Sequence, residues 1–206
     1  MPTVLLKYIP EASLPLVAEW LKAYKLHLKI SKSRKTKLGD FRPANGGKPA
    51  RISVNGDLNP YHFLITLTHE VAHAAVWEKY RRKALPHGKE WQNTYSQMLD
   101  QMRKRVDFPK ELNAALDQHL NQPKASSCSD PNLYRALKKL NPQTNEVLLE
   151  DLAEGSIFSF HKKRVFKKGA KRRSRFECVD QKNKKLYLIS GLAEVEKIES
   201  EQLKRS

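Results

Sequence analysis

Apolar positions recur at helical spacing near the start of the chain: Leu14, Val17, Trp20 and Leu21 share one broad face and predict a helix over 10–24. The next segment, 25–31, alternates instead, with Leu26, Leu28 and Ile30 on one side, and reads as a strand. A returning strand is expected over 36–41, a loop by composition over 43–49, and a short strand over 51–54 closed by Asn55-Gly56. Asn59 and Pro60 then supply a cap and a first-turn proline for a helix over 60–80, whose Leu64, Leu67 and Val71 form a core face. Leu85-Pro86-His87-Gly88 interrupts the pattern, and further helices are predicted over 89–105 and 109–121.

The polar, proline-bounded stretch 122–131 reads as a linker, separating an N-terminal domain, 1–121, from a C-terminal region, 132–206. That region begins with a short helix over 132–140. Short strands follow at 156–160, 164–166, 175–179 and 185–190. No apolar run approaches the ~20 residues of a membrane span, and the N-terminus lacks the marks of a secretory signal. Two cysteines fifty positions apart, Cys128 and Cys178, fit a reducing compartment and exclude a disulfide scaffold. A cytoplasmic protein is expected, nucleoid-associated if the cell is bacterial.

Charge adds a partner to this picture. Lys and Arg number 39 against 22 acids, a net of +17, and the stretch 157–185 alone holds 12 cations and 2 acids, or +10. A second cluster is Lys29, Lys32, Arg34, Lys35 and Lys37. Such clustering is the footprint of a polyanion binder. In the C-terminal stretch, Lys162, Lys163, Arg164, Lys167, Lys168, Lys171, Arg172, Arg173 and Arg175 interleave with Phe158, Phe160, Phe166 and Phe176. Most of these phenylalanines are expected to be core, leaving a basic face that would hold a nucleic-acid backbone with little sequence preference.

The chemistry lies in His69-Glu70-Val71-Ala72-His73. Residues four apart on a helix lie one turn apart on the same face, so His69 and His73 present two neutral nitrogen donors to one ion. Glu70, between them, is a carboxylate that does not ligate. It can take a proton from a water that the ion acidifies and pass it to the leaving amine. This arrangement reads as a zinc-dependent peptidase. A catalytic zinc takes three protein ligands. His87, fourteen positions beyond His73 and after a loop, is the best candidate for the third; Glu90 is the rival, because two histidines and a glutamate also hold zinc. His62, seven residues before His69, lies too far along the helix to share the ion.

Four blocks carry a resemblance: Lys37-Leu38-Gly39-Asp40-Phe41-Arg42; Arg51 to Asn55 with Leu58-Asn59-Pro60; Leu67 to Ala74; and Pro86-His87-Gly88-Lys89-Glu90-Trp91. Over about residues 1 to 105 the chain resembles the SprT-like metalloproteases, which include bacterial SprT proteins and the protease domain of eukaryotic Spartan. The resemblance implies an α+β fold with a zincin-like catalytic domain, one catalytic zinc held by His69, His73 and His87, and Glu70 as the base. It also implies cleavage of DNA-bound or DNA-crosslinked proteins, with DNA, single-stranded or read without sequence preference, as partner. Family sites of this kind are open grooves with weak sequence selectivity. Many members end in a four-cysteine zinc ribbon. Here Arg175 to Asp180 resembles one ribbon knuckle, yet Cys178 has no partner cysteine, so a small β-rich C-terminal domain is expected, ribbon-like without its zinc or else an unrelated small barrel. Two other functions remain open on the sequence: a nucleic-acid-binding module whose zinc is structural or dormant, and a general cytosolic zinc peptidase indifferent to DNA.

Overall fold

The computed structural model describes residues 2–34, 36–121, 123, 130–141, 146–161 and 164–198. It divides into two units, 1–140 and 141–206, each with its own apolar core, and its class is mixed helix and sheet, α+β. In the first unit β1 (His27–Ser31), β2 (Gly39–Arg42) and β3 (Arg51–Asn55) form a sheet in the order β1-β3-β2. β3 is central and the most buried of the three, with Ile52 and Val54 fully enclosed. It pairs parallel with β1 and antiparallel with β2. The expected returning strand therefore does not pair with β1. The connection is led across the end of β3 by Arg34, whose guanidinium donates to Asn55 Oδ1 at 2.8 Å, Ser53 Oγ at 3.0 Å and the Leu38 carbonyl at 3.3 Å. Asn55 answers by donating to the carbonyls of Arg34 and Lys37. One cation of the second basic cluster is thus a structural clasp.

Crossing the sheet is α3 (Pro60–Tyr80), capped as its sequence predicts: Asn59 Oδ1 accepts from the His62 amide at 2.9 Å. It is buried on most of its circumference, with β2 and β3 on one side and α4 (Lys89–Arg103) on another. Before it in the chain lie α1 (Pro2–Leu5) and α2 (Leu14–Ala23); after it come α5 (Lys110–Asn121) and α6 (Pro131–Lys139). The last of these changes the domain boundary. Leu133, Ala136 and Leu137 of α6 join the core of the first unit, and Asn59 Nδ2 donates to the Leu137 carbonyl at 3.0 Å. Asp130 caps α6 through the amides of Asn132 and Leu133, while its other oxygen accepts from His119 Nδ1 of α5 at 2.9 Å. The division accordingly falls after Leu140, not at 122–131. Most of that stretch, Cys128 included, lies outside the described residues.

The second unit is a six-stranded antiparallel sheet in the order β4-β9-β5-β6-β7-β8. Its strands are β4 (Glu146–Leu148), β5 (Ile157–Phe160), β6 (Arg164–Arg172), β7 (Arg175–Asp180), β8 (Leu186–Ser190) and β9 (Glu194–Lys197). This replaces the ribbon-like arrangement expected from Cys178. The thiol is fully buried in an apolar core with Phe158, Phe166 and Phe176, and the unit is held by that core. β4 and β9 escape sequence reading because each is short; β9 offers Val195 as its one apolar residue. β6 runs six residues further than expected, and a register shift between Lys168 and Lys171 breaks its alternation. Lys168 turns inward: its Nζ donates to the Glu150 and Leu152 carbonyls and lies 3.9 Å from the Phe176 ring centroid. Burial lowers its pKa. Arg164 is bound to Asp180 at 2.6 Å and Arg172 to Glu177 at 2.8 Å. Lys167, Lys171, Arg173 and Arg175 are exposed, and Lys162 and Lys163 lie outside the described residues. Among the described residues no helix is long and apolar enough to cross a membrane.

Candidate metal centre

One turn of α3 brings His69 and His73 to the same face, and the following loop returns His87 to them. The Nε2 atoms stand 3.1 Å apart for His69–His73, 3.0 Å for His73–His87 and 3.2 Å for His87–His69. Three imidazoles cannot satisfy one another in a closed triangle with neutral rings, because each pair needs one N–H and one lone pair and each ring turns the same nitrogen inward. The distances match another arrangement. Three nitrogens at ~2.05 Å from one tetrahedral ion lie about 3.3 Å apart. Among the described residues these three histidines are the group whose ligand atoms could hold a metal ion. Glu90, the rival third donor, is not in that group.

His87 reaches the site through its backbone. Its φ is +58°, a left-handed conformation that is uncommon for a non-glycine residue and costs about 1 kcal/mol. The turn is closed by the Gly88 amide donating to the Leu85 carbonyl at 3.0 Å, and the Gln92 side chain donates to the His87 carbonyl at 3.3 Å. Under the three rings lies Trp91 of α4, with no exposure. Its ring centroid is 4.6 Å from His69, 5.3 Å from His73 and 4.7 Å from His87. Tyr95 stacks on Trp91 at 4.9 Å, meets His69 edge-on at 5.6 Å and lines the same cleft, and His119 meets Tyr95 edge-on at 5.8 Å. A column of rings therefore runs from the histidine cluster to the Asp130 cap of α6.

Burial keeps the cluster neutral, the form that ligates. Desolvation, then the charges of its histidine neighbours, pushes His69 down to about 2; desolvation, then His87, lowers His73 to about 4; desolvation lowers His87 as well. Glu70 is shifted the opposite way, to about 8, by burial first and by the Asp40 carboxylate second. The Phe41 amide, donating to its carboxylate, and the charges of Arg34 and Lys37 oppose that shift. Asp40 itself stays below its ordinary value: burial would raise it, but hydrogen bonds from Lys37 and Arg42, both at 2.9 Å, prevail.

Glu70, the histidines and the edge strand β2 line one cleft of about 480 Å³, with Leu38, Gly39, Asp40 and Phe41 along one wall. Gly39 is there for proximity: a Cβ at this position would sit 2.4 Å from Glu70 Oε1 and 2.7 Å from its Cγ. Sequence reasoning assigned Gly39 and Phe41 no role, though both stand in a block that carries the resemblance, and it left Trp91 unassigned too. Nothing in their spacing reports that they touch α3. His119 is core, with 1% exposure. His27 and His161 are not part of the cluster.

Residues 17–116 match the SprT-like family model. The comparisons with curated proteins and with solved structures gave no match.

Proposed function

Residues 17–116 form a SprT-like domain, and on that premise we propose that the protein is a zinc-dependent metalloprotease of zincin-like fold acting on DNA-bound or DNA-crosslinked proteins. SprT-like domains are associated with metallopeptidase activity. The observation that carries the reading is the trio of Nε2 atoms within 3.0–3.2 Å of one another in the cleft that also holds Glu70. His69, His73 and His87 would hold the ion, and three neutral nitrogen donors opening onto a cleft suit a catalytic zinc. When bound, zinc acidifies water and polarises the carbonyl of the bond to be cut.

The chain's own residues do the rest. Glu70 takes the proton of the attacking water and delivers it to the leaving amine. The Phe41 amide and the absence of a side chain at Gly39 fix where its carboxylate sits. With an ion on the neighbouring histidines, its positive charge would favour the ionised form of Glu70, which burial otherwise holds up at about 8, and so suit it to act as a base near neutral pH. The DNA part of the proposal draws on the net +17 and on the exposed Lys167, Lys171, Arg173 and Arg175 of the second unit. With Phe158, Phe166 and Phe176 buried, contact through phosphates suits that surface better than stacking of those rings on bases.

The test is to incubate the zinc-loaded protein with a DNA-binding protein substrate, with and without single-stranded DNA, and then with chelator. Cleavage that rises with DNA, stops with chelator and is abolished in a metal-loaded Glu70→Gln variant is expected. Cleavage indifferent to DNA would identify a general peptidase. Salt-sensitive DNA binding without any cleavage would identify a binding module.

A further inference from the structure

A second cavity, of about 350 Å³, opens beside the cleft. Phe41, Val76, Trp77, Leu85, Pro86 and Trp91 give it an apolar wall, with Ala84, Arg81 and Arg82 completing it. Phe41, His73 and Pro86 line both spaces, so the second cavity meets the cleft at one of the three clustered histidines. Its floor is fixed, since Val76 on α3 and Trp91 on α4 are buried. Its outer lip is the loop before His87, held by the Gly88–Leu85 backbone bond, where Leu85 stands 75% exposed. A preformed apolar hollow with an exposed leucine on its lip gains from being covered.

Continuity with the cleft decides what covers it. A peptide whose scissile bond sits at the histidines must run past the shared opening at His73, and its nearest side chains are the groups that reach the cavity. We infer that the hollow walled by Trp77, Leu85 and Trp91 takes a bulky apolar side chain of the substrate at one fixed position beside the scissile bond. The inference rests on the protease reading. It gives the enzyme a side-chain preference where the family resemblance alone leads one to expect indifference. Phe, Leu and Met fit the wall; Lys and Arg are disfavoured there by Arg81 and Arg82. A pocket that distinguishes a large apolar side chain from none discriminates by about ten- to a hundredfold in kcat/KM.

The experiment uses the full zinc-loaded chain on an unfolded protein, with cleavage sites mapped by mass spectrometry and followed by matched peptides carrying Phe or Gly at the enriched position. Large apolar residues should be enriched at one position, with a Phe/Gly ratio of about tenfold or more. Ala84→Trp, which fills the cavity, should reduce that ratio to about twofold or less. Leu85→Asp, at an exposed position that leaves the core untouched, should lower it as well. The same peptides binding to the Glu70→Gln protein, followed by fluorescence anisotropy, should rank in the same order without turnover. A flat distribution of sites, or a ratio that survives both substitutions, overturns the inference while leaving the protease reading intact. Absence of cleavage of every substrate overturns the protease reading, and with it the placing of the cavity beside a scissile bond.

Discussion

Replacing Gly39 by alanine adds one carbon and two hydrogens, and on the protease reading it should abolish cleavage without unfolding the protein. The new Cβ would lie 2.4 Å from Glu70 Oε1, 2.7 Å from Cγ and 2.9 Å from Cδ, where ordinary contact begins at 3.4 Å. The carboxylate must therefore retreat by about 1.0 Å (3.4 − 2.4). What gives way is the end of a flexible side chain, so the fold is spared. The Gly39 backbone is not left-handed, and a glycine-to-alanine change in such a conformation tends to stabilise by about 0.4–1 kcal/mol through the unfolded chain. Catalysis is less forgiving: a displacement of about 1 Å in a reacting group costs on the order of 100-fold, or about 2.7 kcal/mol in the barrier. The assay measures kcat and KM on a peptide, zinc per chain, and the melting temperature. The expected result is a kcat about 100-fold lower, one zinc per chain and a melting temperature within a few degrees of the parent. Full kcat in a zinc-replete Gly39→Ala protein would refute the idea that β2 positions the base.

Two further expectations concern the ligands and their protons. His87→Ala should drop bound zinc well below one per chain, whereas Glu90→Ala should leave it near one; metal analysis after dialysis reads this directly, and the reverse pattern would restore Glu90 as third ligand. In the metal-free protein, stability should peak near pH 6.5. Between pH 4.5 and 6.5 the unfolded chain carries protons on His69 and His73 that the fold refuses, while folded Glu70 keeps one that the unfolded chain has lost. The balance is one extra proton on the unfolded side (2 − 1 = 1), so stability rises with pH by about 1.4 kcal/mol per unit, and the depressed His87 steepens the acid side. From 6.5 to about 8 Glu70 alone differs, its raised pKa reverses the sign, and stability falls at about the same slope. Urea unfolding of chelator-treated protein across this range checks it; a monotonic rise from pH 5 to 8 contradicts it.

How far the molecule is legible from its sequence depends on whether the deciding contacts are local. The helix 60–80 is readable because its cap, its first-turn proline and its apolar spacing all lie within it. The histidine pair on that helix follows from periodicity alone. His87 and Glu90 are separated by only three positions, and what distinguishes them is a left-handed turn at φ +58° that no spacing rule predicts. The order β1-β3-β2 is hidden because the clasp between Arg34 and Asn55 spans 21 residues. Cation counting fails at Lys168 and Arg34 for the same reason: which way a lysine or arginine turns is settled by the carbonyls and amides that meet it.

The ring column beneath the histidines also decides where this chain can be cut. A fragment ending at 121, the boundary suggested by sequence, or at 116, where the family match stops, would discard Asp130 and all of α6. Ending at 121 would leave His119 buried without its acceptor, at a cost of about 1–3 kcal/mol, and would strip Leu133, Ala136 and Leu137 from the core. That loss lies directly behind Tyr95, which supports Trp91, on which all three histidines rest. For expression or crystallisation, the shortest fragment that keeps this support under the histidines therefore ends at Leu140.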